Sequence, residues 1–219
     1  MKVYVVLDVE MCRVHSKTTD YRYKNEIIQI GAIMMTEDYE LMEKFSAYVR
    51  PRYGKIDHFI AKLTGITERT IKDSPDIEEA LQKMLQWIGN REAVFYSWSS
   101  TDYYQIRNEI REKCRENDCW GLLLDPKNWI DYQETLGKRL ASGRCLKLSD
   151  ALEIAEVDVK GHLHNGLDDA YNTARMIAKL ETQKDYRTLI ERLREKESTK
   201  EPLTVSLGSL LQGIVLEPA

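Results

Sequence analysis

Val3 to Leu7 is an unbroken apolar run, and a short unbroken run of this kind predicts a strand buried on both faces. Two more apolar runs follow, EIIQIGAIMM over 26–35 and KFSAYVRP over 44–51, with a turn near Asp38 between them. The chain therefore opens as an antiparallel meander. IDHFIAKLTGIT (56–67) predicts a short helix stopped by Gly65. Residues 74–88 combine an early proline, early acids and apolar positions at helical spacing, which predicts a second helix. AVFYSW (93–98) is a further strand, and DYYQIRNEIREKC (102–114) an amphipathic helix. Residues 128–133 predict a strand running into a helix over 134–141. Three more helices are expected: 148–157 with a serine cap, the stretch after a loop in 164–181, and 185–197. Strands that first meander and then alternate with helices predict an α/β fold with a mixed five-stranded sheet flanked by helices.

No internal repeat and no interdomain linker interrupts residues 1–197, so they are expected to form one domain. Residues 198–219 differ: a charged, proline-containing hinge leads into a run rich in Leu, Val, Ser and Gly. This tail is expected to pack back on the domain or to join copies of the chain into a homo-oligomer.

Composition adds little to the fold and more to the setting. With 219 residues, 42% hydrophobic and 31% charged, the chain has an ordinary globular balance, and no run is long enough for a membrane span. Asp8 stops the first apolar run too early for a signal peptide. The four cysteines (Cys12, Cys114, Cys119 and Cys145) form no CxxC pair, so zinc spacing is absent, and reduced thiols in a cytoplasmic protein are expected. A net charge of −4 is not the footprint of a general nucleic-acid binder. It would be cancelled if a carboxylate site held two divalent cations.

The candidate chemistry starts where the first run ends. Asp8 and Glu10 are two apart on a strand and so share a face. Paired carboxylates beside a buried strand repel each other and resist desolvation, and a hard divalent cation removes that conflict. The plain alternative is two solvated acids at a strand end. Asp102, in SWSSTD, sits where a helix begins, as a cap or as a site carboxylate. GHLHNGLDDA places His164 five residues before Asp169, on a loop between Gly161 and Gly166, with Asn165 or Asp168 as the cap of the following helix. The loop over 13–25 carries Arg13, Lys17, Arg22 and Lys24 with Tyr21 and Tyr23 interleaved, against the single acid Asp20. Such a mixture suits phosphate contact and base stacking, or simply a solvated loop.

DVE (Asp8, Glu10), SWSSTD (Asp102) and HNGLDDA (His164, Asp169), in this order and with LTGIT (63–67) between the first two, resemble the DEDDh branch of the proofreading-type 3′→5′ exonucleases. The resemblance covers about residues 1–180 and implies a ribonuclease H-like exonuclease fold. The second and third motifs are most similar to the subgroup that trims small regulatory RNAs and histone-message 3′ ends, with its bacterial KapD-like relatives. Met11 stands at a position where related enzymes vary, and the N-terminal nucleic-acid-binding module of some animal members has no counterpart.

By this resemblance Asp8 would bridge two Mg²⁺ ions, replaceable by Mn²⁺. Glu10 and Asp169 would hold the ion that activates water, and Asp102 would hold or orient the second. Two ions about 4 Å apart suit hydrolysis of a phosphodiester. His164 would be the general base. His162 and Asp168 compete for these roles, and the five-residue spacing favours His164 and Asp169. Asp125 and Asp131 are set aside because neither follows an SW strand end or opens a helix. Met11 and Cys12 are expected beside the terminal sugar and base. Phe59 and Leu63 line the pocket or belong to the core, and Trp98 is expected under the sheet edge. The implied partner is single-stranded nucleic acid, RNA before DNA. Competing readings are a non-catalytic relative that binds nucleic acid, and a trimmer of very short oligonucleotides.

Overall fold

The computed structural model describes residues 1–14, 21–141 and 145–199, and in it the first strand lies at the centre of a five-stranded sheet. This strand, β1 (Lys2–Arg13), pairs antiparallel with β2 (Asn25–Met35), and β2 pairs antiparallel with β3 (Leu41–Tyr48). On its other flank β1 pairs parallel with β4 (Glu92–Ser97), and β4 with β5 (Trp129–Asp131). The sheet is mixed, as the pattern predicts.

The helices are α1 (His58–Thr64), α2 (Glu68–Ile71), α3 (Ile77–Ile88), α4 (Ser100–Lys113), α5 (Gly121–Leu124), α6 (Tyr132–Leu140), α7 (Leu148–Ile154), α8 (Gly166–Gln183) and α9 (Tyr186–Thr199). Asp57 caps α1, which ends at Gly65 in the left-handed region (φ 72°), the conformation that glycine adopts freely.

Alternation along β1 sorts the core into two layers. Val3, Val5, Leu7 and Val9 face a cluster built with Ile77, Leu81, Met84 and Ile88 of α3 and Ile106 and Ile110 of α4. Val6, on the opposite face, packs with Tyr132 and Leu136 of α6, Leu152 of α7 and Ala170, Ala174 and Ile177 of α8. Asp8 and Glu10 have Val6's parity, so they point toward the α8 side.

Several local expectations are corrected. β1 keeps Asp8 and Glu10 on the strand, as expected, but runs one residue into the expected 13–25 loop, to Arg13, because its antiparallel partner β2 continues beside it. β3 lies three residues earlier than predicted, over Leu41–Tyr48. Ser99, not Asp102, caps α4. Ser149 is inside the first turn of α7, whose cap position is Lys147 with no side-chain capping bond. The short helices α2 and α5, too brief to show a period, were not expected. Lys17 and Asp20 of the basic loop and residues 200–219 of the tail lie outside the described residues, so the expected oligomer contact does too. Among the described residues no helix is long and apolar enough to cross a membrane.

What positions the site is a break in the sheet. Parallel pairing between β1 and β4 ends at Val6 opposite Tyr96, while β1 continues. The gap lies at the carboxyl ends of parallel strands, where α/β sheets hold ligands.

Candidate active site

Three elements converge on that gap. The first is β1 itself, with Asp8 and Glu10. Because β4 has stopped, the Val9 N–H has no strand partner on that flank. It donates instead to Asp102 Oδ1 at 3.1 Å. Asp102 lies in the first turn of α4 and is buried. This one bond pins the second carboxylate motif against the first.

The third element is the loop into α8. Asn165 caps the helix, accepting from the N–H groups of Leu167 (3.2 Å) and Asp168 (3.3 Å). Asp169 follows, buried, in the first turn. Its Oδ2 accepts the His164 backbone N–H at 2.8 Å, and its Oδ1 is buried without a hydrogen-bond partner among the described residues. His164 sits in the left-handed region (φ 65°) with an exposed side chain. Ligand atoms of Glu10, His164 and Asp169 lie within 4.8 Å of one another.

Sequence reasoning missed the groups that hold this loop. Gln29 of β2 accepts the Gly166 N–H at 3.0 Å and its amide faces Asn165 Oδ1 at 3.4 Å. A lone glutamine in the apolar run EIIQIGAIMM was the available signal, since a buried polar side chain needs a partner. Gly31 permits the approach: a Cβ there would lie 2.2 Å from the Gly166 backbone. Asn172 accepts the Lys160 N–H and donates to the Lys160 carbonyl, both at 2.9 Å. Asp168 accepts the His162 N–H at 2.9 Å. The histidine loop is thus tied at both ends, and Asp168 and His162 serve the tie.

The electrostatics follow from crowding. Burial, then the charges of Asp102, Asp169 and Glu10, push the Asp8 carboxyl well above the usual carboxylate range. Burial and then Asp169 and Asp102 push Glu10 up to about 7. Burial also carries Asp102 up to about 7, against the lowering effect of the Val9 hydrogen bond. Asp169 is raised by burial, partly offset by the His164 N–H and charge. All four shifts have one direction: the cluster resists carrying its full negative charge without a cation.

The remaining expected site residues fall apart. Met11 is half-buried against the α3 side of the core. The Cys12 side chain is fully buried with Ile28, Ile60, Ile66 and Ile71, and burial pushes its thiol up to about 12. The expected place for that thiol beside a sugar is therefore corrected, because it is fully buried against apolar side chains. Phe59 and Leu63 are 60% and 38% exposed, which rules out the core reading for both. Trp98 is buried, as expected. Asp125 and Asp131 do open helical turns, contrary to expectation: Asp125 accepts from Lys127, and Asp131 caps α6 while accepting the Ser100 N–H at 2.8 Å. Their carboxylates are spent on backbone, although the Asp131 charge still raises Asp102. Of the basic loop, Arg22 pairs with Glu112 at 2.9 Å.

Comparisons with known proteins agree with this layout. Residues 5–177 match the RNase T exonuclease family. The 3′-5′ exoribonuclease 1 of Rattus norvegicus is 25% identical over 170 residues, covering 72% of this chain and 47% of that protein. A PolC-type DNA polymerase III of Clostridium perfringens is 36% identical over 176 residues, covering 80% of this chain and 11% of the polymerase. The chain thus spans about half the length of the exoribonuclease, and far less of the polymerase. The nuclease domain of 3′hExo, a DEDDh family member solved with rAMP, superposes with a TM-score of 0.68 at 21% identity, covering 83% of this chain and 92% of that one. That likeness establishes the ribonuclease H-like exonuclease fold. With the family match extending over most of its length, the chain belongs to the RNase T family of exonucleases.

Proposed function

We propose that the chain hydrolyses single-stranded RNA from its 3′ end and releases nucleoside 5′-monophosphates. The observation that carries this reading is the convergence of Glu10, Asp169 and His164 within 4.8 Å, beside Asp8 and Asp102. The donor set fits a divalent cation. It is all carboxylate oxygen on the acidic side, its members raise one another's pKa, and Asp169 Oδ1 is a buried acceptor with no partner among the described residues. Asp8, Glu10, Asp102 and Asp169 would hold two ions, Mg²⁺ by preference and Mn²⁺ in its place. Bound there, the ions supply a more acidic water and charge neutralisation at the phosphoryl oxygens.

The protein's own groups do the rest. His164 accepts the proton of the attacking water on a ring nitrogen, and its exposed ring returns that proton to solvent. Attack at the last phosphorus breaks its bond to the 3′-oxygen of the preceding nucleotide, which takes a proton from solvent to become a hydroxyl, and the phosphate stays on the 5′ side of the released nucleoside. The hydrogen bond from His164 to Asp169 fixes the loop that presents the base. Phe59 and Leu63, one turn apart on the exposed side of α1, offer an apolar surface to the terminal base, and the backbone at Met11 and Cys12 lies next to Glu10. The four cysteines are free, in keeping with a reducing, cytoplasmic setting.

RNA is favoured by the likeness to a 3′-5′ exoribonuclease. The polymerase match favours a second reading, in which DNA is the substrate. Internally labelled single-stranded RNA and DNA of matched sequence, digested with Mg²⁺ and resolved by chromatography, separate the two. Nucleoside 5′-monophosphates released faster from RNA are the expected products. Products ending in 3′-phosphate would contradict the proposed bond cleavage.

A further inference from the structure

Beyond the carboxylate cluster, β1 leads to a second concavity. Arg13 forms a bridge with Lys55, whose N–H donates to the Arg13 carbonyl at 3.3 Å. Lys55 stands on the rim of a groove of about 700 Å³ lined also by Arg50, Gly54, Arg69, Lys72 and Glu68. Its floor is apolar, with Pro51 and Ile71. Arg50, Lys55, Arg69 and Lys72 are exposed, and none makes an ion pair among the described residues. The one acid, Glu68, accepts the Ile56 N–H at 2.8 Å. A surplus of three positive charges is gathered here on a chain whose net charge is −4.

The groove wall is built rather than draped. Buried Glu26 accepts the N–H groups of three consecutive residues: Arg52 at 2.9 Å, Tyr53 at 2.8 Å and Gly54. Gly54 lets the loop close on β1, since a Cβ there would lie 2.5 Å from Cys12 Sγ. Tyr53 stacks on Tyr21 at 5.3 Å. This frame fixes the backbone between Arg50 and Lys55, and so the spacing at which those two cations stand.

We propose that this groove binds the phosphodiester backbone of the substrate upstream of the scissile bond. The ligand identity rests on the exonuclease reading; the cationic groove does not. Three strand steps separate Glu10 from Arg13, roughly 10 Å. Phosphates along one strand recur about every 3.4 Å in a stacked chain, so the groove engages substrates longer than about four nucleotides.

The test compares a 20-nucleotide RNA with a trinucleotide, using the full chain and the double variant Arg69→Gln/Lys72→Gln. Affinity for the 20-mer is expected to fall about tenfold, with the slope of log K against log salt reduced by about 1.4, while trinucleotide affinity holds. The charge-keeping pair Arg69→Lys/Lys72→Arg restores binding and guards against a folding artefact. An unchanged 20-mer affinity and slope overturns the groove, as does tighter binding of polyglutamate than of the 20-mer. If the native chain binds the 20-mer through the groove but cleaves neither RNA, the exonuclease reading fails and the groove stands.

Discussion

The His164 backbone N–H lies 2.8 Å from Asp169 Oδ2, so the proposed base and a proposed metal ligand are held together by main chain rather than by the imidazole. The ring is left free for proton transfer. Removing the ring should therefore spare the site's architecture and remove only the chemistry.

Asparagine is the suitable replacement, because it tolerates the left-handed backbone at position 164 better than alanine does. His164→Asn should lower kcat by about 10²–10⁴-fold with KM little changed. Steady-state kinetics on a short RNA measure both. A kcat within a few-fold of native would remove His164 from the role of base.

Glu10 and Asp102, each at about 7, make metal binding pH-dependent. Below that pH a cation must displace protons, so affinity for Mg²⁺ should rise from pH 6 to pH 8. These folded-state values lie above the ordinary carboxylate range. Their contribution to stability is therefore complete below about pH 4 and is lost as pH rises through about 7. Mg²⁺ relieves the repulsion that remains, so it should raise Tm more at pH 8 than at pH 5.5. Calorimetry at both values checks the sign; equal shifts would contradict it.

Gly31 tests the packing that carries Asp169. A methyl group at position 31 would meet Gly166 backbone at 2.2 Å, and backbone cannot rotate away. Gly31→Ala should cost about 3 kcal/mol, at the upper end for overpacking, and should weaken metal binding by displacing the start of α8. Urea unfolding and metal titration measure the two effects. Native stability in this variant would mean that β2 and α8 do not touch as described.

Lys113 lies between two buried acids, Glu26 and Glu109, and beneath the Tyr21 ring at 4.8 Å. Replacing it by methionine leaves two carboxylates uncompensated. Lys113→Met should destabilise the protein by about 3–5 kcal/mol. The double variant Lys113→Met/Glu109→Gln should recover part of that loss, and a double-mutant cycle without coupling would dismiss the network.

The periodic elements were readable in advance because burial enforces a period. The α3 and α8 stripes each show one, while Val3 to Leu7 was legible as an unbroken apolar run. The carboxylates were readable as types in order, and their convergence required only that three strand and helix ends meet. What escaped was set by long-range contact. β1 takes in Arg13, the first residue of the expected loop, because β2 pairs with it there, which no local pattern announces. Cys12 shares the parity of Asp8 and Glu10 and looked like a site neighbour by spacing, yet beyond the register shift at Glu10/Met11 its thiol packs with Ile28 and Ile60. Asp102 was legible as a site carboxylate by its motif, but its partner was not: Ser99 caps α4, and Asp102 answers the Val9 N–H left free where β4 ends. Gln29 and Gly31 matter only through residues more than a hundred positions away.

The most direct test is a gel assay on 5′-labelled single-stranded RNA with Mg²⁺, with EDTA, and with an Asp8→Asn variant in Mg²⁺. The account predicts a ladder shortening from the 3′ end with Mg²⁺ alone, and intact RNA in the other two lanes. Equal cleavage by Asp8→Asn, or cleavage that survives EDTA, would contradict it.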